Sequence, residues 1–580
     1  ERAIANTLRW SGLDVPVLPV HLDRLWGSIF SFADGRFIWK WPRRLPYPIT
    51  VSFGAPLAAT ATAHEVRQAV QELGSEAVVH RRTRRDLLQL RFLSTARRNW
   101  FRFCLADSSG RQLTYGRTLI ASLLLARWLR QHPTPNTQPP TPGRRRRPVG
   151  VLLPASVGGA LANIAALFAG QIPVNLNFTA GAEAMDSAIA QCRLDLILTS
   201  RVFLERLHLD PRPGMVFLED LLPRFTAADK LRALVEAWLP RGPRGVTPDS
   251  PATVIFSSGS TGLPKGVLLS HHNILSNIEG MAQVYWVTRQ DRLLGVLPFF
   301  HSFGFTVTLW LPLVAGLSAV FHPNPMDAKT VGELARRYRT TVLTATPTFY
   351  NAYLRKCERE DFASLRFALV GAEKLRESLA RAFHEKYGLP LLEGYGCTEM
   401  APVVAVNVPD VEQGRERHVG AKPGTVGHPL PGVAVGVVDP ETRSPLGPNQ
   451  EGLLLVKGPN RMLGYLDQPE KTAEVIHDGW YDTGDIGTLD DDGFLRLTDR
   501  LSRFSKIAGE MVPHLRLEEA VHELLGDAAC AVTAIPDEHK GERLVIFYTR
   551  ADIPPAELWT RLTASDLPRL WIPKRDAIFA

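Results

Sequence analysis

Cysteine is scarce in this chain, and its positions give no sign of a metal site. The five cysteines are dispersed, no two form a Cys-x-x-Cys pair, and no histidine cluster has metal-ligand spacing. The sequence therefore predicts no structural zinc and favours a reducing compartment. The cysteines are Cys104, Cys192, Cys357, Cys397 and Cys530.

Uninterrupted apolar runs of membrane-spanning length are also absent, and no signal peptide is visible at the start of the sequence. Two stretches, 149–178 and 293–321, contain no Lys, Arg, Asp or Glu. Both are interrupted by proline, glycine, asparagine or histidine, and 159–170 has the pattern of a short buried helix. We expect both stretches to lie in a protein core rather than in a bilayer.

The length and composition exclude a single small domain, a fibrous protein and a disordered chain. One hydrophobic core does not extend over 580 residues, so roughly two to four domains are expected. The residues are 45% hydrophobic and 22% charged, as in globular proteins. The net charge of +8 suggests an acidic partner but leaves open nucleotide, phospholipid headgroups, an acidic carrier protein or nucleic acid. No nucleic-acid-binding motif accompanies the basic tracts, so a nucleic-acid partner is not predicted.

The order of predicted elements indicates an α/β enzyme. Segments 15–20 and 49–53 have strand patterns, and 64–76 has apolar residues at helical spacing. From 149 to 437, strand-like and helical runs alternate, which predicts parallel sheets covered by helices.

The chain changes character after residue 498. A helix is predicted at 515–525, with strands at 529–534 and 544–549, so a small α+β domain is expected to begin near Arg500.

Arginine is concentrated in two tracts. One, 81–103, interleaves arginines with aromatic residues, and this pattern fits either contact with anionic lipid or a solvated helix face between domains. The other, 144–147, follows a proline-rich segment at 132–143 that predicts an exposed loop.

The strongest chemical signal is an apolar strand that runs into a loop of Ser, Thr and Gly, with the sequence VIFSSGSTGLPKG at 254–266. Glycines let backbone N–H groups turn inward around an anion, hydroxyls add donors, and Lys265 adds a full charge. This is the chemistry of polyphosphate binding. A Walker loop is excluded because Pro264 precedes the lysine and Gly266 follows it.

The loop resembles the phosphate loop of the adenylate-forming (AMP-binding) superfamily, which includes acyl-CoA synthetases, peptide-synthetase adenylation domains and luciferases. Further segments resemble that family's motifs, in the family's order. They are LPFFHSFG at 297–304, VGAE at 370–373, EGYGCTE at 393–399, WYDTGD at 480–485 and DR at 499–500.

The resemblance implies ATP and Mg²⁺ as cofactors and assigns residues to them. Catalytic roles fall to Lys265, Thr261, Thr398, Glu399 and His301, and Glu399 would also hold the metal. Tyr395 would stack on adenine, Asp485 would accept hydrogen bonds from the ribose, and Arg500 would mark the hinge to the small domain. The remaining cofactor-binding candidates are Ser257, Ser258, Gly259, Ser260, Gly262, Gly371, Ala372, Glu373 and Gly396.

The implied reaction has two steps. A carboxylate attacks the α-phosphate of ATP and expels pyrophosphate, and a thiol then attacks the acyl-adenylate; positioning and charge stabilisation dominate. The family's catalytic lysine lies in a Gly-Lys loop near the end of the small domain, and residues 571–580 contain no such loop. We therefore expect slow adenylation. Ser502 also departs from the hinge lysine of many relatives.

A closer resemblance is to the bifunctional acyl-[acyl-carrier-protein] synthetase and 2-acylglycerophosphoethanolamine acyltransferase family. It is carried by segments 177–181, 371–375, 393–406, 422–427 and, most specifically, 503–511, RFSKIAGEM.

This closer resemblance implies that residues 1–78 are the end of a glycerophospholipid acyltransferase domain. The His-x₄-Asp pair of such a domain is absent from residues 1–80 and is expected upstream. The predicted domains are 1–78 (acyltransferase tail), 79–105 (basic linker), 106–499 (large adenylation domain) and 500–580 (C-terminal lid domain, truncated).

The resulting hypothesis is a fatty-acid-activating ligase that passes the acyl group to acyl carrier protein, with lysophospholipid as the final acceptor. A fatty acyl-CoA ligase is the first alternative, and an inactive nucleotide-binding membrane scaffold is the second. The predicted location is the cytoplasm, at the inner face of a bacterial inner membrane, with peripheral membrane contact. Phenylalanines in 299–305 fit a hydrocarbon pocket or core packing equally.

Overall fold

The computed structural model of the protein describes most of the chain. The described residues are 15–24, 48–132, 147–239, 243, 245–257, 264–413, 416–507, 510–526, 529–537, 541–565 and 567–580. By contacts between residues the chain divides into two compact units. The first comprises 1–435 and 456–481, and the second comprises 436–455 and 482–580. The four domains expected from the sequence divide the chain differently from these two units, and their boundaries remain predictions.

The first described elements are a strand pair and a helix, as the sequence predicts. Val20–Asp23 pairs antiparallel with Thr50–Phe53, and the helix is Ala63–His80. The first strand begins five residues later than expected, because Pro16 and Pro19 have no N–H to donate to a ladder.

A nine-stranded sheet forms the centre of the first unit. Its inner strands are parallel and its two ends are antiparallel. Hydrophobic residues of the inner strands are buried beneath helices, as expected for this class of sheet. In spatial order the strands are His428–Pro429, Val403–Val406, Leu391–Gly396, Phe367–Val370, Val342–Ala345, Arg292–Gly295, Ser318–Phe321, Phe103–Asp107 and Gln112–Thr114.

Two smaller sheets also belong to the first unit. A parallel sheet consists of Ile172–Asn175, Pro148–Val151, Ile197–Thr199 and Met215–Phe217. An antiparallel sheet consists of Gly464–Tyr465, Lys265–Ser270 and Pro251–Ser257. Two short pairs also occur, Val411–Gln413 with Glu416–His418 and Ile476–His477 with the start of Trp480–Leu489.

Helices cover these sheets, which confirms the predicted α/β class. The α-helices of the first unit after Ala63–His80 are Leu88–Arg98, Tyr115–Gln131, Val157–Phe168, Gly181–Cys192, Arg201–Leu207, Leu218–Leu221, Ala227–Trp238, His271–Val284, Leu311–Ala315, Ala328–Tyr338, Pro347–Lys356, Glu377–Tyr387 and Pro469–Val475. Gly304–Trp310 is π-helical, and Leu222–Arg224, Arg359–Phe362 and Thr398–Met400 are 3₁₀ turns.

The two charge-free stretches lie in the core, as predicted. The expected helix at 159–170 is Val157–Phe168, and its residues are almost all buried. It begins two residues early because Ser156 caps it: the Ser156 hydroxyl accepts a hydrogen bond from the Gly159 N–H at 3.1 Å. Among the described residues, no helix is both long and apolar enough to cross a bilayer.

The first segment of the second unit begins within the strand Ala434–Val438 and ends within the strand Gly452–Lys457. From residue 482 on, the strand Trp480–Leu489 also belongs to this unit, where it pairs antiparallel with Leu495–Arg500. A further sheet of five strands is covered by two helices around one apolar core. Its strands are Phe504–Ile507, Glu510–Pro513, Cys530–Asp537, Gly541–Tyr548 and Ile578–Phe579; the helices are His514–Leu525 and Pro555–Thr563, with 3₁₀ turns at Leu501–Arg503, Arg569–Trp571 and Arg575–Ala577.

Candidate active site

The two ends of the predicted phosphate loop lie side by side. Ser257 ends the strand Pro251–Ser257, Lys265 begins the strand Lys265–Ser270, and the two residues are register partners. The antiparallel ladder therefore fixes where the loop leaves and re-enters the sheet. The candidates between them, Ser258, Gly259, Ser260, Thr261 and Gly262, lie outside the described residues.

A tyrosine connects Lys265 with Glu399. Tyr465 belongs to the strand that pairs with Lys265–Ser270, and its ring centroid is 5.2 Å from the Lys265 Nζ, within cation–π range. Its hydroxyl donates a hydrogen bond of 3.0 Å to the Glu399 Oε1. Sequence reasoning missed Tyr465, since it belongs to none of the recognised motifs and only strand pairing brings it here.

Glu399 is held in place by its own backbone as well as by the tyrosine. It lies in the 3₁₀ turn Thr398–Met400, with its side chain buried, and its carbonyl accepts a hydrogen bond of 2.6 Å from the Met462 N–H. The neighbouring Thr398 Oγ1 lies 3.2 Å from the Ser302 Oγ. The motifs at 297–304 and 393–399 are thus in direct contact, and Ser302 is a second residue that the sequence analysis did not single out.

The two tyrosines beside Glu399 act as hydrogen-bond donors. Burial, followed by the charge of Glu399, raises the pKa of Tyr465 well above its ordinary value. Burial is also the largest cause of the raised pKa of Tyr481, which is hydrogen-bonded to Tyr465. Both phenols therefore stay protonated at neutral pH and cannot serve as bases there.

The surroundings of Glu399 fit a magnesium ion bound mainly by phosphate and water. No group of three or more His, Cys, Asp or Glu residues is close enough to hold a metal within the described part of the chain. Mg²⁺ in nucleotide sites usually takes only one or two carboxylates and keeps several waters. A single buried carboxylate whose neighbour is a neutral phenol meets that requirement.

The turn after the strand Phe367–Val370 brings two backbones close together. A Cβ at Gly371 would lie 3.2 Å from the Gly394 carbonyl oxygen, and Ala372 has a φ of 70°, in the left-handed region. The Glu373 carboxylate accepts hydrogen bonds from the Thr348 N–H at 3.1 Å and hydroxyl at 2.6 Å. Glu373 is therefore engaged at the start of the helix Pro347–Lys356 in this structure.

The strand Leu391–Gly396 carries the predicted adenine-stacking residue. Tyr395 is buried and lies opposite Ala405 of the next strand. At Gly396 a Cβ would lie 2.1 Å from the Pro402 carbonyl oxygen, so no side chain fits. Burial raises the pKa of Glu393, two residues earlier, to about 7, although a hydrogen bond from the Leu375 N–H opposes the shift.

The phenylalanines near His301 serve mainly as core. Phe299 and Phe300 are buried in edge contacts with Phe321 and Phe178, at centroid distances of 5.3 and 4.9 Å. This arrangement favours the packing interpretation over a hydrocarbon pocket for those rings. His301 keeps part of its surface exposed, and partial desolvation by its neighbours lowers its pKa below the ordinary value, which favours the neutral ring.

Asp485 and Arg500, both in the second unit, contact each other. They are register partners in adjacent strands, and the Arg500 Nε lies 3.1 Å from the Asp485 Oδ1. Asp485 is buried, whereas the Arg500 side chain is 65% exposed. A ribose that bound Asp485 would therefore have to share the carboxylate with an arginine or displace it.

Comparison with known proteins identifies the family. The model for the AMP-binding enzyme family matches residues 92–466, which include the loop, Glu399 and Tyr465. The chain belongs to the AMP-binding enzyme family. A long-chain-fatty-acid–CoA ligase of Salmonella typhimurium is 32% identical over 302 residues, which cover 51% of this chain and 52% of that enzyme. The chain thus spans about half the length of that relative.

A longer match is to 4-coumarate–CoA ligase 2 of Oryza sativa subsp. japonica, 32% identical over 70% of this chain and 74% of that enzyme. Among solved structures, ATP-bound MatB from Rhodopseudomonas palustris is 25% identical, with a TM-score of 0.70 over 86% of this chain and 95% of that chain. The o-succinylbenzoate coenzyme A synthetase of Bacillus subtilis, bound to ATP and magnesium ion, is 23% identical, with a TM-score of 0.68 over 84% of this chain and 94% of that chain.

These comparisons confirm the predicted superfamily and its α/β fold with a small C-terminal domain. ATP and Mg²⁺ are the cofactors of AMP-binding enzymes. The closer resemblance to a bifunctional acyl-carrier-protein synthetase and acyltransferase remains a prediction, as do the roles assigned to individual residues.

Proposed function

We propose that the protein activates a fatty acid with ATP and transfers the acyl group to a thiol. A carboxylate oxygen attacks the α-phosphorus, the bond to pyrophosphate breaks, and a mixed anhydride with AMP forms. The thiol sulfur then attacks the acyl carbon, the bond to AMP breaks, and a proton is released. Membership of the AMP-binding family and long-chain-fatty-acid–CoA ligases among the relatives support this reaction.

The observation that carries the proposal is the contact between three motifs that are distant in sequence. Lys265 at the loop end contacts the Tyr465 ring, and the Tyr465 hydroxyl donates to Glu399. The residue before Glu399, Thr398, contacts Ser302 of the third motif. This grouping brings a cation at the end of the loop near a carboxylate and a hydroxyl, and these groups could serve Mg²⁺ and phosphate. Charge that develops on phosphate oxygens needs such preorganised groups.

The roles of these residues follow from their chemistry. Lys265 would bind phosphate oxygens, the Thr398 hydroxyl would donate a hydrogen bond to phosphate, and Tyr465 would hold the Glu399 carboxylate in one orientation. Glu399 would hold Mg²⁺, which when bound neutralises phosphate charge. His301 would line the entry of the carboxylate substrate, as the resemblance of the motif at 297–304 implies.

The thiol acceptor has two candidates. The relatives described above, which are coenzyme A ligases, favour coenzyme A. The segment 503–511 favours acyl carrier protein, and in that case residues 1–78 are the tail of an acyltransferase that passes the acyl group to a lysophospholipid. Contact with the inner face of the bacterial inner membrane belongs to the same proposal.

Fatty-acid-dependent exchange of pyrophosphate into ATP tests the first step. We expect exchange that requires both Mg²⁺ and a fatty acid. Binding of ATP without any acid-dependent exchange would overturn the proposal in favour of an inactive nucleotide-binding protein. Thioester formation with coenzyme A and with acyl carrier protein, measured side by side, then assigns the acceptor.

A further inference from the structure

The helix Ala227–Trp238 presents an apolar face to solvent. Leu231 is 63% exposed, Val235 is 50% exposed and Trp238 is 54% exposed, and their spacing of four and three residues places them on one side of the helix. Leu234 and Leu239 are exposed beside them. Contiguous exposed apolar surface on one element marks an interaction site more often than isolated apolar residues do.

This face is separate from the one that attaches the helix to the protein. The buried positions are Ala233 and Ala237, on another side of the helix, and the neighbouring helices are Tyr115–Gln131 and Leu88–Arg98. Small residues therefore provide the packing, while the large side chains point elsewhere. Burying large apolar groups stabilises a folded chain, so leaving them exposed is unfavourable unless something covers them.

Aromatic residues extend the apolar face beyond the helix. The Trp238 ring lies 5.4 Å from the Trp100 ring, centroid to centroid, and the next residue, Phe101, is 89% exposed. The Arg97 guanidinium lies 5.8 Å above the Trp238 ring, and its Nε donates to the Ala237 carbonyl at 2.6 Å. An amphipathic tryptophan beside a cation is typical of protein surfaces at the membrane interface.

The charges around this face are mainly positive. Lys230 and Arg232 are exposed on the helix, and Arg232 acts electrostatically on the Asp229 carboxylate, which caps the helix through Thr226. The other carboxylate of the helix, Glu236, pairs with Arg130 at 2.9 Å. Together with Arg97, these cations outnumber the two carboxylates, so the charge beside the face is positive on balance.

We propose that this surface, composed of Phe101, Trp238, Leu231, Val235 and the flanking Lys230 and Arg232, docks on an anionic phospholipid membrane. Apolar side chains would enter the headgroup boundary and the cations would lie beside lipid phosphates, as in interfacial amphipathic helices. The inference specifies the membrane contact of the proposed function and rests on it. A helix face, rather than a groove, with leucine, valine and aromatic rings fits a lipid surface better than an acidic protein.

Sedimentation with vesicles tests the inference. The whole chain is mixed with vesicles of phosphatidylcholine, or of phosphatidylcholine and phosphatidylglycerol in equal parts. We expect binding to the anionic vesicles, at least tenfold weaker in the double variant Leu231→Gln, Val235→Gln, and about fivefold weaker for each of Lys230→Gln and Arg232→Gln. Met326→Gln, at an apolar residue that is 50% exposed elsewhere, is the matched control and should bind normally.

Binding that ignores these substitutions, or that is equal on both kinds of vesicle, overturns the inference. The inference is also overturned if Leu231 and Val235 are needed to retain a purified acidic carrier protein but not for vesicle binding. The same holds if they are needed for self-association in size-exclusion chromatography but not for vesicle binding. Pyrophosphate exchange with a soluble short-chain acid, measured without vesicles, should be unchanged in the double variant. Loss of exchange in the unaltered chain would contradict the proposed function, whereas loss of vesicle binding alone contradicts only the membrane surface.

Discussion

Two buried carboxylates predicted to contact the nucleotide, Glu399 and Asp485, have different partners. Glu399 accepts a hydrogen bond from the neutral Tyr465 phenol, whereas Asp485 is ion-paired with Arg500. A phenol orients a carboxylate without neutralising it, so the charge of Glu399 stays available to a cation. Arg500 offsets the charge of Asp485. This carboxylate therefore suits an uncharged diol, whose hydroxyls can donate hydrogen bonds to it.

The largest effect is expected from Glu399→Gln. The amide keeps the shape of the side chain but removes the charge that would hold Mg²⁺, so pyrophosphate exchange should fall by about 10²–10³. Glu385→Gln, at an exposed position of the helix Glu377–Tyr387, is the control and should exchange normally. A loss below about tenfold would remove Glu399 from its assigned role.

Substituting each member of the Asp485–Arg500 pair in turn tests whether Asp485, unlike Glu399, acts through hydrogen bonds rather than through its charge. If the carboxylate binds ribose, Asp485→Asn should raise the KM for ATP about tenfold, the scale of one hydrogen bond to a charged group. Arg500→Gln removes the arginine from the same carboxylate and should leave the KM unchanged or lower it, even if the rate changes. Equal increases in KM from both variants would mean that the ion pair, rather than the carboxylate, matters.

Tyr465→Phe tests how far orientation of Glu399 matters apart from its charge. The variant keeps the ring beside Lys265 and removes the hydroxyl that donates to the carboxylate, so exchange should fall about fivefold to tenfold. Tyr338→Phe also removes a tyrosine hydroxyl, one that is hydrogen-bonded to Gln112, and should leave exchange unaltered. An unchanged rate in Tyr465→Phe would show that the backbone alone positions Glu399.

The last prediction concerns stability rather than catalysis, and a third carboxylate, Glu393. Burial raises its pKa in the folded protein from 4.5 to about 7, so between those values the folded state binds more protons than the unfolded state. Stability from this group is therefore complete below pH 4.5 and is lost as the pH rises through 7, by roughly 3 kcal/mol at most.

Thermal unfolding measured from about pH 5 to about pH 8, a range that spans the pKa of about 7, tests this contribution. Glu393→Gln should have a flatter dependence of Tm on pH than the unaltered chain, and Glu385→Gln should not. An identical slope in Glu393→Gln would show that Glu393 is not desolvated.

Several elements could be predicted because their signals are local. The helix His271–Val284 begins where Ser270 caps it: the Ser270 side chain accepts a hydrogen bond from the Asn273 N–H at 3.0 Å. That capping signal is readable from the sequence. The C-terminal helix expected at 515–525 is His514–Leu525, as apolar spacing predicts.

The motif residues were also readable, but their partners were not. The glycines and hydroxyl residues around Lys265 predict a phosphate-binding loop, because few other segments combine those groups. Tyr465, in contrast, lies 200 positions after Lys265 and reaches it through the pairing of two strands. The arginine partner of Asp485 likewise depends on a strand register.

By itself the sequence determined the family, the α/β alternation and the candidate groups for binding phosphate, because composition and short-range spacing carry those signals. The tertiary structure decided which of those groups meet and which apolar side chains remain uncovered. Strand pairing and helix packing join residues far apart in the chain, and no local pattern encodes that Tyr465 hydrogen-bonds Glu399 or that Leu231 and Val235 face solvent.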